Sequence, residues 1–151
     1  MSQLRQATIS DASELAELFL AARQYSGNVI PPIVGDATRV LPWIESKLSA
    51  SDDCWVMQDQ SGISAMLFLE PGWIDQLYVR PDAIGLGLGS LLVEKAKALM
   101  PDGIQLWTFQ SNLRAQKFYE RHGFVAMEWT DGANNEERSP DVRYVWSGIG
   151  G

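Results

Sequence analysis

The first chemistry that this sequence indicates is the binding of a phosphate group at a run of three glycines. A strand-like segment, Trp73–Val79, precedes the run Gly85–Ser90 (GLGLGS), and a helix-like segment, Leu91–Met100, follows it. Glycines at alternate positions let backbone N–H groups approach a ligand closely, and the N-terminus of the following helix adds a partial positive charge. The segment therefore predicts a site for a phosphate or pyrophosphate.

The spacing of these glycines argues against two common phosphate-binding motifs. A P-loop needs Lys and then Ser or Thr directly after its last glycine, whereas Gly89 is followed by Ser90 and Leu91. A dinucleotide fingerprint needs two residues between its second and third glycines, and only Leu88 separates Gly87 from Gly89. For the glycines taken alone, a flexible turn without a ligand is the remaining alternative.

A second informative segment is a short helix predicted between residues 112 and 122. Asn112 or Ser111 suits its N-cap, and Gly123 suits the C′ position before an apolar residue. One face of this helix carries residues at i, i+3, i+4 and i+7, namely Ala115, Phe118, Tyr119 and His122. Without further information, a tyrosine on such a stripe is expected to be a core residue.

Together the two segments resemble the GNAT superfamily of acetyl-coenzyme A-dependent N-acetyltransferases. The family's cofactor loop has the pattern Gln/Arg-x-x-Gly-x-Gly/Ala, which residues 84–89 fit except for Ile84 at the polar first position. Its second motif, Asn-x-x-Ala-x-x-Phe-Tyr-x-x-x-Gly-Phe, matches residues 112–124. The resemblance covers nearly the whole chain. It implies a single α/β domain over residues 1–151, with a mixed, mostly antiparallel central sheet flanked by helices on both faces.

The resemblance also implies a reaction, in which a primary amine directly attacks acetyl-CoA within a ternary complex. A free thiol has a pKa of about 8.5 and a tyrosine about 10, so a positioned tyrosine hydroxyl can protonate the departing sulfur. By resemblance, Tyr119 is that general acid. Asp75 stands where some family members carry a carboxylate that orients the amine or relays its proton through water. A water chain without a single base is the alternative.

The cofactor contacts implied by the resemblance come from three segments. The end of the Asp75 strand would pair with the pantetheine arm, the glycine loop would hold the pyrophosphate, and the second motif would bond the pantetheine or thioester region. The residues concerned are Leu77, Tyr78, Val79, Gly85, Leu86, Gly87, Leu88, Gly89, Ser90 and Asn112. Because Ile84 removes one polar side chain near the phosphates, we expect weaker cofactor affinity rather than lost binding.

Other catalytic arrangements have little support in the sequence. His122 is the only histidine, which excludes two-histidine metal sites, and no metal is expected. Its place beside Gly123 at a helix C-terminus predicts a capping or core role. Cys54 has no activating partner nearby in sequence and is expected on an apolar strand.

The remaining elements predict alternating helices and strands. A helix begins at Asp11–Glu14, and its apolar face is formed by Leu15, Leu18, Phe19 and Ala22. A second helix is predicted over residues 36–48, and strands over 3–8, 54–57, 63–70, 73–79, 104–109, 125–129 and 142–146. Strict alternation places Trp73, Asp75, Leu77 and Val79 on one face of their strand, and Ile74, Gln76 and Tyr78 on the other.

Bulk properties limit the classes of partner. The chain has 151 residues, 46% of them apolar and 21% charged, as is ordinary for one globular domain. It contains no run of roughly 20 apolar residues, its N-terminus lacks a signal-like apolar stretch, and its one cysteine suits the cytoplasm. We therefore expect a cytoplasmic protein without a membrane partner. A net charge of −7 argues against nucleic acid and favours a small cationic amine as acceptor.

Two other classes of function remain open at this stage. A non-catalytic CoA-binding sensor on the same fold is disfavoured by Tyr119 but favoured by Ile84, and a simple nucleotide-binding module would bind ATP or NAD instead of CoA. The acceptor itself is not specified by the sequence. In the family, its site lies between the first two helices and the loop before the last strand, here about residues 20–40 and 131–141. The oligomeric state is left open by the sequence, with a homodimer as one alternative because dimers are common in the family.

Overall fold

The structure is a computed structural model that describes residues 2–33, 35–51 and 53–150. These described residues form seven strands: β1 (Gln3–Gln6), β2 (Cys54–Asp59), β3 (Gly62–Glu70), β4 (Trp73–Val79), β5 (Ile104–Phe109), β6 (Val125–Trp129) and β7 (Asp141–Trp146). They form one sheet in the order β1-β2-β3-β4-β5-β7-β6, in which only the β4–β5 pair is parallel. The predicted mixed, mostly antiparallel sheet is confirmed.

Four α-helices cover both faces of this sheet: α1 (Ala12–Tyr25), α2 (Val40–Ala50), α3 (Leu88–Leu99) and α4 (Leu113–Arg121). Helices α1 and α2 bury Leu15, Phe19 and Ile44 against one face of the sheet. Helices α3 and α4 bury Leu92 and Tyr119 against the other. The predicted apolar face of α1 is confirmed, because Leu15, Leu18, Phe19 and Ala22 are all buried.

Several predicted element boundaries are wrong by two or more residues. The strand predicted over 54–57 extends to Asp59, and the second helix, predicted to end at residue 48, extends to Ala50. The first strand ends at Gln6, before a 3₁₀ turn over Ile9–Asp11. The second helix begins at Val40, because a 3₁₀ turn capped by the Asp36 side chain comes first. Helix α3 begins at Leu88 instead of Leu91, because the Leu88 side chain is buried in the core and continues the apolar face of the helix. The end of the glycine run is therefore helical.

Strands β4 and β5 separate along their length and open a gap in the sheet. Trp73 and Gln105 are the one aligned pair between them among the described residues, and the Gln105 N–H also donates to the Gly72 carbonyl at 2.9 Å. Beyond that point, side chains of both strands line a common cavity. This gap positions the candidate site.

A β-bulge at Asp75 changes which residues face this gap. Leu69 of β3 is opposite Ile74, and Phe68 is opposite Gln76, so Asp75 is the extra residue that lacks a partner in the ladder. The predicted strict alternation is therefore wrong. Ile74 packs on the α3–α4 side of the sheet together with Leu77 and Val79, and not with Tyr78.

Candidate active site

The glycine run forms an open turn at the start of α3. Gly85 has φ +90° and Gly87 has φ +81°, and a Cβ added at either would meet nothing within 4 Å. Gly87 is the N-cap of α3, and its carbonyl accepts a hydrogen bond from the Leu91 N–H at 3.2 Å. The N–H groups of Leu88, Gly89 and Ser90 are thus in the first helical turn, where they have no intrahelical acceptor. They can bind phosphate oxygens there.

The predicted loop residues do not all serve the same purpose. A Cβ at Gly89 would lie 3.2 Å from Cζ of Phe118, so glycine here permits the close packing of α3 on α4. Leu88 is 5% exposed and belongs to the core, whereas Leu86 is 69% exposed on the outside of the turn. Of these two leucines, Leu88 therefore packs into the core and Leu86 faces solvent.

The gap between β4 and β5 brings several predicted site residues together in a cavity of about 100 Å³. Residues from β4, β5, α4 and the segment after α1 line it: Ile30, Ile74, Asp75, Gln76, Leu77, Tyr78, Leu106, Trp107, Thr108, Phe109, Asn112, Ala115 and Tyr119. The predicted residues Asp75, Leu77, Tyr78, Asn112 and Tyr119 are among them. Val79 and the residues of the glycine run are not.

Tyr119 has a core ring and a phenol that reaches this cavity. The residue is 8% exposed, and its ring contacts Phe118 and Phe124 with centroid distances of 5.1 and 5.6 Å. Burial, with a smaller contribution from Tyr78, raises the pKa of the Tyr119 phenol. The described residues form no hydrogen bond with its hydroxyl, and it stays protonated at neutral pH. A general acid must have this protonation state.

The Asp75 carboxylate lies on the α1–α2 side of the sheet, paired with a lysine. Oδ2 of Asp75 is 3.0 Å from Nζ of Lys47, which also donates to Glu70 at 2.9 Å. Burial acts to lower the pKa of Lys47, but the hydrogen bonds to Glu70 and Asp75 outweigh it and raise that pKa. The Lys47 ammonium therefore holds the Asp75 side chain in place at the edge of the cavity.

Asn112 and Gln116 hold the start of α4 against the end of β5. Oδ1 of Asn112 accepts from the Ala115 N–H at 3.2 Å, which confirms Asn112 as the N-cap. This leaves its amide N–H₂ group for a ligand. The buried Gln116 amide donates to the carbonyls of Phe109 and Gln110 at 3.1 and 2.9 Å. The sequence motif gave no indication of this role for Gln116.

Arg23 connects three segments around the cavity, a role that the sequence did not reveal. Its guanidinium donates to the Tyr78 hydroxyl at 3.3 Å and to the Pro31 carbonyl at 2.7 Å, and it lies 3.6 Å from a Glu137 carboxylate oxygen. Burial raises the pKa of Tyr78, and the Arg23 charge opposes that shift. These partners come from distant parts of the chain, so no local pattern could have predicted the contact.

A second cavity, of about 400 Å³, adjoins the first across β5. It is lined by residues of β5, β6, β7 and the loop between the last two strands: Trp107, Thr108, Phe109, Glu128, Thr130, Asn134, Asn135, Glu137 and Asp141. Its three carboxylates are engaged. Glu128 pairs with Arg143 at 3.0 Å, Glu137 with Arg23, and Asp141 accepts from Asn135 at 3.1 Å.

Other sequence predictions can be compared directly with the structure. Cys54 is buried as the first residue of β2, and burial raises the pKa of its thiol to about 11, as suits an inert core cysteine. Within residues 2–33, 35–51 and 53–150, no three His, Cys, Asp or Glu side chains are grouped so that they could hold a metal ion. None of the helices in those same ranges has both the length and the apolar character needed to cross a membrane.

The chain belongs to the GNAT acetyltransferase family. The family model described as "Acetyltransferase (GNAT) domain" matches residues 50–126, which run from the end of α2 to the start of β6. The matched region contains both the glycine run and the Tyr119 helix. The family resemblance of the sequence is thereby confirmed.

Several proteins that this chain is similar to are acetyltransferases by name. Peptidyl-lysine N-acetyltransferase YjaB of Salmonella typhimurium is 35% identical over 71 residues, which are 46% of this chain and 48% of that enzyme. The match thus spans about half the length of this curated relative. Among solved structures, apo YjaB from Escherichia coli is 20% identical over 98% of this chain and 99% of that one, with a TM-score of 0.73. PaiA N-acetyltransferase from Thermoplasma acidophilum, in complex with coenzyme A, is 18% identical over 97% and 99%, with a TM-score of 0.69. At these identities the two structures confirm the fold.

Proposed function

We propose that this protein is an N-acetyltransferase that transfers an acetyl group from acetyl-CoA to a primary amine by direct attack in a ternary complex. The observation that carries the proposal is the gap between β4 and β5. It gathers a protonated buried phenol, an anchored carboxylate and the cap of α4 around one cavity. Membership of the GNAT family supports the same chemistry.

The residues present fit acetyl-CoA as the cosubstrate. The free N–H groups of Leu88, Gly89 and Ser90, together with the dipole of α3, suit a pyrophosphate. Leu77 and Tyr78 are on the stretch of β4 that has no aligned partner on β5, where an extended pantetheine arm has backbone groups to bond. The N–H₂ group of Asn112 has access to the same gap.

The proposed proton movements involve two groups that line the cavity, Tyr119 and Asp75. The amine nitrogen bonds to the acetyl carbonyl carbon, the carbon–sulfur bond breaks, and the sulfur takes the proton of Tyr119. The raised pKa of Tyr119 keeps that proton available until the sulfur leaves. Solvent then returns a proton to the phenol.

The proton that the amine loses leaves through Asp75 and water. A carboxylate with an ordinary pKa of about 4 cannot take a proton directly from an alkylammonium with a pKa of about 10. Asp75, held by Lys47, instead orients the amine and a water molecule, and the water passes the proton to solvent. A water chain that uses no single base is the alternative.

The acceptor amine reaches Tyr119 and Asp75 through the second cavity, which shares Trp107, Thr108 and Phe109 with the first cavity. Its volume of about 400 Å³ suits a small amine or the end of a lysine side chain. The named relative acts on peptidyl-lysine, and a lysine side chain is itself a primary amine. Because each carboxylate there has a partner, any preference for cations rests on the net charge of −7 more than on one free carboxylate.

Substitution of Tyr119 tests the proposal. Tyr119→Phe should lower kcat by roughly 100-fold or more, the usual range for a lost general acid, because the proton is removed while the ring is retained. Free thiol release with a panel of amines measures turnover, and CoA binding is measured in parallel. Tyr144→Phe is the matched control, since it also removes a buried phenol, which donates to Glu120 at 2.7 Å outside the cavity. It should leave kcat unchanged.

Three outcomes separate the alternatives. Turnover that is equal in Tyr119→Phe and the wild type would make Tyr119 a core residue only. CoA binding without turnover of any amine would favour a non-catalytic sensor, which Ile84 at the usual Gln/Arg position also favours. Binding of ATP or NAD without CoA would favour a nucleotide-binding module.

A further inference from the structure

A polar contact that the proposed mechanism does not use joins α3 to α4 beside the glycine run. Oγ of Ser90, in the first turn of α3, is 3.0 Å from Nε2 of His122, which follows the last residue of α4. Nδ1 of the same ring is 3.7 Å from a carboxylate oxygen of Glu94. The backbone of His122 forms the C-cap of α4, as the sequence predicted, but the contact of its ring with Ser90 is not part of capping.

The surroundings of His122 favour the uncharged ring in the absence of a ligand. Burial is the largest effect and lowers the pKa of the imidazole. Lys97 of α3 and Arg121 of α4 lower it further, and Glu94 opposes them. The ring also packs on Phe118, with a centroid distance of 4.8 Å. A neutral imidazole can either donate to Ser90 or accept from it.

We infer that His122 is a positioning residue for the phosphate end of acetyl-CoA: its Nε2–H donates to Ser90 Oγ and so turns the Ser90 hydroxyl hydrogen toward a phosphate oxygen. The inference rests on the proposed function, because it takes the ligand of this loop to be the pyrophosphate. Ser90 then offers its N–H and its O–H together, next to the N–H groups of Leu88 and Gly89.

His122 would affect phosphate binding through the direction in which the Ser90 hydroxyl hydrogen points. If Nε2 were unprotonated, it would accept that hydrogen, and Ser90 would present oxygen lone pairs to an anion. Phosphate oxygens only accept, so an approaching phosphate selects the ring form that carries a proton on Nε2. A nearby negative charge also stabilises the doubly protonated ring, whose Nδ1–H then faces Glu94.

This coupling predicts a pH dependence of cofactor binding. Because the bound phosphate raises the pKa of His122, CoA binding takes up a proton. Affinity should therefore increase as the pH falls through the bound-state pKa, and should level off below the free-state pKa. The charged groups that face the ring, Glu94, Lys97 and Arg121, set where this window lies.

The experiment measures the dissociation constant of CoA by isothermal titration between pH 5.5 and 9, the working range set by the ordinary pKa of histidine. Ser90→Ala and His122→Phe should each weaken binding by about tenfold, as for a lost hydrogen bond to a charged group, and the double variant should be no weaker than either. His122→Gln carries an amide N–H near the position of Nε2. It should keep most of the affinity but lose the part of the pH dependence that is due to the ring, leaving only the titration of the ligand's own phosphate.

Pantetheine, which lacks all the phosphates of CoA, is the control ligand. Its binding should be the same in the wild type and in every variant. Equal losses for pantetheine and CoA would indicate a merely structural contact and overturn the inference, as would wild-type CoA affinity in Ser90→Ala and His122→Phe. A wild-type protein that binds no CoA at all would instead overturn the proposed function, and the inference with it.

Discussion

Gly87 provides a sharp test of the cofactor loop, because the chain contains a matched glycine outside that loop, at the opposite end of β4. Gly87 has φ +81° and Gly72, in the turn between β3 and β4, has φ +80°. A Cβ at either position meets nothing within 4 Å. Valine at either site should therefore cause a similar backbone strain, on the order of 1–3 kcal/mol in the free energy of unfolding. Only Gly87 should also affect binding, because its open space is where a pyrophosphate would approach.

The assay compares denaturant unfolding with and without CoA. At a concentration a hundred times its dissociation constant, CoA should stabilise the wild-type protein by about 2.7 kcal/mol. Gly72→Val should be less stable than the wild type but should still gain about 2.7 kcal/mol from CoA. Gly87→Val should lose a similar amount of stability and gain nothing at that same concentration of CoA.

Two results would refute this reasoning. Full protection of Gly87→Val by CoA would remove the glycine run from the cofactor site. Loss of protection in Gly72→Val would indicate that backbone strain in the turn before β4 is enough to disable binding, so the effect at Gly87 would no longer identify the site.

Three other predictions concern the acceptor side and stability. Asp75→Asn should be poorly active near neutrality and should partly recover at high pH, where more free amine exists. Glu70→Gln, which removes the other partner of Lys47, is the control and should keep activity. A loss of activity that is equal at all pH values would make Asp75 structural. Small cationic amines should have higher kcat/KM than acidic amines such as glutamate, with values that fall as salt rises, and faster turnover of acidic amines would contradict the charge argument. The hydrogen bond from Arg5 lowers the pKa of Asp11 in the folded protein below its ordinary value of 3.8. The ionised carboxylate therefore stabilises the fold at pH values above 3.8, and this contribution is lost as the pH falls through the lower, folded-state pKa. Denaturant titrations should therefore find Asp11→Asn less stable than the wild type at pH 7, by at most about 1 kcal/mol because solvent screens the pair with Arg5, and no different in strong acid. An unchanged gap in acid would refute the linkage.

The sequence predicted those features that depend on local backbone requirements. Gly123 has positive φ after α4, and Asn112 caps the start of that helix, so one short motif was enough to locate both ends of α4. The face of Tyr119 followed from helical spacing in the same way. The fold class could be inferred because the order of the two sequence motifs matched one family.

The missed features depend on contacts between distant segments or on a break in a regular period. Strict alternation failed at Asp75, since one extra residue in β4 reverses the face of every residue after it. The packing role of Gly89 depends on Phe118 in another helix. The ion pair of Asp75 with Lys47 and the three partners of Arg23 likewise become visible only in the folded chain.

Among the residues that the structure describes, a single aligned pair between β4 and β5 joins two hydrogen-bonded units of the sheet. One unit is β1–β4 with α1 and α2, and the other is β5, β7 and β6, joined to the first in the ladder at Trp73 and Gln105. Beyond this pair, backbone amides that face the gap between β4 and β5 lack the protection that cross-strand hydrogen bonds give to an ordinary central strand. Their hydrogen exchange therefore reports local opening more than global unfolding. A molecule lying in the gap would join the two units and supply some of the backbone hydrogen bonds that β4 and β5 do not make with each other. Ligand binding would then stiffen the whole sheet and not only the residues in contact with the ligand.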